Sequence, residues 1–141
     1  MSATGLQVFD DTIQKTNIWL NEVMDELGPD RQRAYHALRA VLHTLRDRLT
    51  MEESAHLSAQ LPMLIRGVYY EGYTPHSQPT RQRSSDEFLA DVSSRLQMVS
   101  PLNPETATRA VFRAIDRHVS AGEVGDVKHM LTEDIRTLWP S

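Results

Sequence analysis

Glu53 and His56 are separated by two residues, a spacing that puts both side chains on one face of a helix. Pairs of this kind supply ligands in carboxylate-bridged di-iron bundles, which also need a second pair and further glutamates on facing helices. In the second half of the chain Glu123 and Asp126 have the same spacing, but the histidine is missing. The sequence therefore contains no complete metal site of this type, and we expect no cofactor.

Two more histidines, His36 and His43, lie beside Arg39 and Arg46 on the flank of one expected helix. A positive strip of this kind can receive an anionic group, but it is also typical of a solvated face next to a core stripe. We expect the solvated face.

Nucleophilic catalysis has no candidate residues. The chain has no cysteine, its six glycines are scattered singly, and it contains neither a Gly-x-Ser-x-Gly elbow nor a glycine loop that would cradle phosphate. The sequence thus leans away from an enzyme, and we assign no catalytic residue.

Composition and charge argue against nucleic acid and membranes as binding partners. A formal net charge of −4 argues against a broad nucleic-acid surface. No run approaches the roughly 18 apolar residues of a membrane span, and the N-terminal residues lack the basic start and apolar block of a secretory signal. We expect a soluble, cytoplasmic protein that binds neither nucleic acid nor membrane.

The pattern of apolar residues predicts helices throughout, and nothing indicates a strand. Residues spaced alternately by three and four form one stripe in each of the first two expected helices. These stripes are Phe9, Ile13, Thr16, Leu20, Val23 and Leu27, followed by Tyr35, Leu38, Leu42, Leu45 and Leu49. Trp19 lies next to the first stripe and is expected in the core. We predict an all-α fold with about eight helices.

Start signals divide the chain further. Thr50 with Glu53, and Ser120 with Glu123, match the capping box, in which the hydroxyl and the carboxylate each bond a backbone N–H of the other residue. Ser84 with Glu87 is a third box, and Asn103-Pro104 is another helix start. Gly28-Pro29 and Gly72 are expected helix ends.

The chain also resembles itself. Residues 35–70 match residues 105–140 without gaps at an offset of 70. Eight positions are identical, against roughly two expected for unrelated sequences at average residue frequencies. We predict two tandem four-helix repeats, residues 1–72 and 85–141, joined by a linker at 73–84. Because each repeat alone is marginal in size, we expect them to form one compact domain with pseudo-twofold symmetry.

The least ordinary segment is the apolar run Ala59–Gly72. Its counterpart in the second half carries Glu133 and Asp134 where the first has Met63 and Leu64. Such residues fill either the seam between the repeats or an exposed interface, and the sequence leaves both open. The candidate partner-binding residues are Pro62, Met63, Leu64, Arg66, Tyr69, Tyr70 and Tyr73.

Three segments carry a resemblance to a known family. FDDTIQKTNIWLNEVMDELG, RAYHALRAVLHTLRDRLTMEESAHLSAQLPMLIRGVYYEG and SSDEFLADV resemble the bacterial family called domain of unknown function 2267. The resemblance implies a small, compact, cytosolic helical protein, and it supplies no catalytic residues.

The main functional hypothesis is a non-enzymatic module for protein interaction or scaffolding, with a protein partner or a second copy as its occupant. The alternative is a small-molecule or metal site between the repeats, using Glu53, His56 and His43.

Overall fold

A computed structural model describes residues 2–77, 79–98 and 101–140, and within these ranges the chain forms eight α-helices and no strand. This confirms the all-α prediction. The helices are α1 (Gln7–Leu27), α2 (Arg31–Arg46), α3 (Met51–Ser58), α4 (Met63–Tyr70), α5 (Ser85–Arg95), α6 (Pro104–His118), α7 (Ala121–Met130) and α8 (Glu133–Arg136). None of the helices in the described ranges is long and apolar enough to span a membrane.

The helix ends follow local chemistry. Gly28 and Gly72 adopt φ values of 107° and 71°, which favour glycine, immediately after α1 and shortly after α4. Pro62 occupies the N-cap of α4, so it begins a helix instead of kinking one. Asn103 caps α6 through its side chain, as expected.

Only one of the three expected capping boxes is complete. Ser84 and Glu87 bond each other reciprocally at the start of α5. At α3 and α7 the hydroxyls of Thr50 and Ser120 accept from the backbone N–H three residues on, but neither glutamate is recorded reaching back. The carboxylates of Glu53 and Glu123 are therefore free for other contacts, and the box prediction is half right at both helices.

A single hydrophobic core runs through both halves of the chain. It contains the expected stripe residues of α2 from Leu38 onward, and Trp19, which is 2% exposed. Two stripe predictions are wrong: Phe9 is 44% exposed and Tyr35 is 37% exposed. At the start of α2 the buried face contains Ala34 and Ala37, so Tyr35 lies on its flank. In α1 the first buried residue is Thr12, so Phe9 precedes the buried face.

Several helices of the first half of the chain pack against helices of the second half. α2 packs on α6, and α3 packs on α7. α1 packs on both α2 and α6, while α5 packs on both α6 and α2. α4 covers α1 and α2, whereas the shorter α8 lies on α5.

The segment between the halves is held to the surface. The Thr80 N–H donates to the Asp47 carbonyl at 2.7 Å, and the Thr132 hydroxyl donates to the Arg83 carbonyl at 2.5 Å. Gln82 accepts from buried Arg48 at 2.8 Å. Residues 79–84 are thus tied to both halves, to the end of α2 and to the start of α8.

Candidate functional site

An open groove of about 580 Å³ lies between α1 and the turn that joins α3 to α4. Its α1 wall is a stripe that recurs every three to four residues over about three turns. The lining residues are Val8, Asp11, Thr12, Lys15, Ile18, Trp19, Ala59, Gln60, Leu61, Pro62, Met63, Arg66 and His118. The floor includes Trp19, whose ring stacks on the His118 ring with centroids 5.2 Å apart.

Two exposed apolar side chains lie at the start of α4: Met63, which lines the groove, and the next residue, Leu64, which lies outside the lining. Met63 is 45% exposed and Leu64 is 48% exposed, so neither fills a buried seam. The Leu64 N–H donates to the Thr12 hydroxyl at 3.1 Å, which fixes the start of α4 against α1. On α1, Val8 and Ile18 are also about half exposed and extend the same apolar surface. We call the exposed residues Val8, Ile18, Met63 and Leu64 the α1–α4 patch.

The remaining candidate partner-binding residues divide between structure and surface. Tyr69 is fully buried, and its hydroxyl donates to the Ser54 hydroxyl at 2.8 Å. This burial raises the pKa of Tyr69. Tyr70 is partly exposed, with its hydroxyl hydrogen-bonded to that of Ser58. Tyr73 is half-buried, and the Arg46 guanidinium lies over its ring. Tyr69 is thus part of the core, while Tyr70 remains accessible.

Arg66 serves the end of a helix. Its guanidinium donates to the Ser58 carbonyl at 2.9 Å and to the Leu61 carbonyl at 3.1 Å. These carbonyls lie at and beyond the C-terminal end of α3, where helix acceptors have no partner within the helix. Arg66 therefore has a structural role, and its predicted contact with a partner stays a prediction.

A second candidate site lies where α3 meets α7. Glu53, His56 and Glu123 each present a ligand atom, and these atoms all lie within 4.8 Å of one another. Glu53 is 7% exposed and Glu123 is 8% exposed, while His56 is open to solvent. The Oε2 atoms of both glutamates are buried without a hydrogen-bond partner. We call these three residues the α3–α7 cluster.

Electrostatics distinguish Glu123 from an ordinary surface carboxylate. Burial, followed by the neighbouring Glu53 carboxyl group, raises the pKa of Glu123 to about 8. Two carboxyl groups that share a dry site cannot both ionise at low cost unless a cation lies with them.

The family comparison agrees with the extent of this fold. The family described as an uncharacterised conserved protein, DUF2267, matches residues 16–138. The chain belongs to the DUF2267 family. No curated protein matches it. The matched segment includes the whole α3–α7 cluster, whereas the first turns of α1, with Val8 and Thr12, precede it.

In this DUF2267 chain the histidine and arginine flank of α2 is solvated only in part. His36 and Arg39 are partly exposed, and Arg39 donates to the Glu71 carboxylate at 2.7 Å. His43 is 4% exposed, and its Nε2 donates to the Val68 carbonyl at 2.7 Å. Arg46 is buried and donates to the Tyr69 and Glu71 carbonyls at 2.8 and 2.9 Å. His43 and Arg46 therefore bond carbonyls at and just beyond the C-terminal end of α4, where the helix dipole favours positive charge.

This contact explains why His43 does not join Glu53 and His56. Its Nε2 carries the hydrogen because the Val68 carbonyl can only accept, and α4 covers the ring. The structure brings Glu123 to the cluster instead. The signal that could have found Glu123 is its identity with Glu53 at an offset of 70 in the sequence.

Proposed function

We propose that this DUF2267 chain is a non-enzymatic interaction module that binds a protein partner on the α1–α4 patch. The observation that carries the proposal is the half-exposed state of Met63 and Leu64 beside an open groove. Exposed apolar side chains that adjoin a groove are typical of interaction surfaces, whereas isolated ones are normal. Here they adjoin Val8 and Ile18 on the neighbouring helix.

The form of the groove favours a helical segment as its occupant. It runs beside about three turns of α1, and its lining carries charges of both signs. Asp11 and Lys15 lie on α1, and Arg66 lies on α4. An amphipathic helix docks such a surface with apolar anchors spaced by three and four residues, while charges at the rim set its orientation. Tyr70 and Tyr73 lie outside the groove lining and are secondary contacts in this proposal.

The proposal includes two tandem repeats, residues 1–72 and 85–141, with the linker at 73–84 and a pseudo-twofold axis between them. The support is the reciprocal packing, in which α1 lies on α6 while α5 lies on α2, and α2 and α3 lie on their own counterparts. Under this arrangement the second repeat has Glu133 and Asp134 in place of Met63 and Leu64, so the corresponding surface of the second repeat is acidic.

The partner is proposed to meet the chain in the cytoplasm of a bacterium. A second copy of the chain is the competing occupant. Light scattering separates the two, because self-association through the patch raises the molar mass of the purified protein with concentration, whereas docking of a different protein leaves a monomer.

The test replaces the patch with the chemistry of the second half. Met63→Glu/Leu64→Asp puts carboxylates in the first turn of α4, where the helix dipole favours them, so the fold is expected to persist. A photo-crosslinker at position 63, used in native cells, should capture one protein, and Leu64→Asp should abolish that product. The matched control places the crosslinker at Glu52, an exposed position on α3.

The outcomes are distinct. A crosslinked product at position 63 that resists Leu64→Asp, or that also forms at position 52, would exclude the α1–α4 patch as the binding surface. A monomer of unchanged mass with no product at position 63 would exclude both occupants.

A further inference from the structure

The α3–α7 cluster has carboxylate oxygens with nothing to bond. The helix starts leave them free, because the Thr50 and Ser120 hydroxyls cap the N–H groups of Glu53 and Glu123 without help from either carboxylate. A buried, unpaired carboxylate oxygen is costly, since it has lost its water and gained no donor. Two of them, Oε2 of Glu53 and Oε2 of Glu123, occur in one place.

We propose that Glu53, His56 and Glu123 bind a divalent transition-metal cation. Glu53 and Glu123 come from the first turns of two packed helices, α3 and α7, and His56 from the last turn of α3, so the site would link the two halves of the chain. Their ligand atoms lie within 4.8 Å of one another. Ligands about 2.0–2.2 Å from a central ion are separated by at most about 4.4 Å, so a small rotation of the exposed imidazole completes the set.

The surroundings of the Glu53 and Glu123 carboxylates favour a bound cation over a site without an ion. The buried Oε2 atoms of Glu53 and Glu123 have no hydrogen-bond partner. A divalent ion between them would bond both oxygens and neutralise both carboxylates. Because His56 is exposed, the ion can enter from solvent and complete its coordination with water.

The donor set selects the class of ion. Two carboxylates and one imidazole are hard and borderline ligands, and no thiolate is available because the chain has no cysteine. Imidazole suits zinc and iron, whereas carboxylate and water suit manganese and magnesium. Zinc and manganese are therefore the appropriate probes, and we expect zinc to bind more tightly, in the order usual for mixed nitrogen and oxygen sites.

The experiment uses the full chain without an affinity tag, treated with chelator and then titrated calorimetrically with zinc chloride and with manganese chloride. We expect one zinc ion per chain and an increase in the thermal midpoint upon saturation. Glu53→Gln, Glu123→Gln and His56→Ala should each weaken zinc binding by at least about tenfold. The matched controls are Glu52→Gln and His129→Ala, exposed residues on the same two helices, which should bind zinc as the wild type does.

Three results would overturn the proposal: no stoichiometric binding of either ion, equal binding by wild type and His56→Ala, or an equal loss in His129→Ala. Absence of stoichiometric binding would mean that the two carboxyl groups share a proton and bind no metal ion. Either of the other two results would indicate adsorption of the ion to surface histidines. His56→Ala keeps the test decisive even if a glutamine variant misfolds, because this side chain is exposed and its removal does not disturb the core.

Discussion

The side-chain amide of Gln60 bonds Ser120 twice. Its Oε1 accepts from the Ser120 N–H at 2.8 Å, and its Nε2 donates to the Ser120 hydroxyl at 3.1 Å. Gln60 thereby occupies the N–H that Glu123 would bond in a capping box, and the Glu123 carboxylate points to Glu53 instead. The hydrogen bond between Gln60 and Ser120, which are 60 residues apart, thus prevents the capping box from closing between Ser120 and Glu123.

We expect Gln60→Ala to destabilise the protein by about 1–2 kcal/mol, because it removes two hydrogen bonds at a helix start. Urea unfolding measures the free energy, and hydrogen exchange should show faster opening of the first turn of α7. The control is Gln14→Ala, an exposed glutamine within α1. Equal stability of Gln60→Ala and the wild type would contradict a capping role for Gln60.

His43 should make stability depend on pH in the acid range. Burial first, and then the positive charges of Arg46, Arg39 and Arg95, lower the pKa of His43 from 6.5 to about 4. His43 therefore binds a proton below about pH 6.5 in the unfolded chain, but only below about pH 4 in the folded chain. Stability contributed by His43 is complete above pH 6.5 and is lost as the pH falls through this window, by at most about 3 kcal/mol.

His43→Gln tests this dependence, because the glutamine amide can donate to the Val68 carbonyl but does not titrate. We expect its free energy of unfolding to fall less steeply than that of the wild type between pH 6.5 and pH 4. Parallel slopes for the two proteins would show that His43 is not the group responsible.

Arg48 and Asp91 should be energetically coupled. The Arg48 guanidinium is almost fully buried, donates to the Asp91 carboxylate at 3.1 Å and lies over the Phe88 ring. Removing Asp91 would leave a buried charge with fewer partners, so a double-mutant cycle of Arg48→Met and Asp91→Asn should give about 1–2 kcal/mol. The exposed pair Arg109–Glu105 on α6 is the matched control, with about 0.3–0.5 kcal/mol expected.

The fold was predictable wherever the cause lies within a few residues. The caps at Thr50, Ser84 and Asn103 depend on neighbours three positions away, and the helix ends at Gly28 and Gly72 depend on one backbone angle. The periodicity correctly indicated the inward face in the middle of α1 and α2. It could not indicate that this face begins at Thr12 in α1 and contains Ala34 at the start of α2, which leaves Phe9 and Tyr35 exposed.

The candidate site was less predictable because its parts come from distant positions. His43 looked like a possible ligand from its type and helical position, but the Val68 carbonyl that holds it belongs to another helix. Glu123 is 70 residues from Glu53, and their meeting depends on how α3 crosses α7. The exposure of Met63 and Leu64 likewise depends on the neighbouring helices leaving them uncovered, which spacing within α4 cannot reveal.

Arg66 and Arg136 occupy matching positions, yet their substitution should have different effects. Arg66 donates to carbonyls at the end of α3, whereas in the described part of the chain Arg136 has no recorded side-chain hydrogen bond and is exposed. Arg66→Met should therefore cost about 1–3 kcal/mol, since its charged hydrogen bonds to the Ser58 and Leu61 carbonyls are lost. Arg136→Met should change stability by less than about 0.5 kcal/mol. Urea unfolding of both variants measures the change in the free energy of unfolding. Equal changes would contradict the expected difference between Arg66 and Arg136.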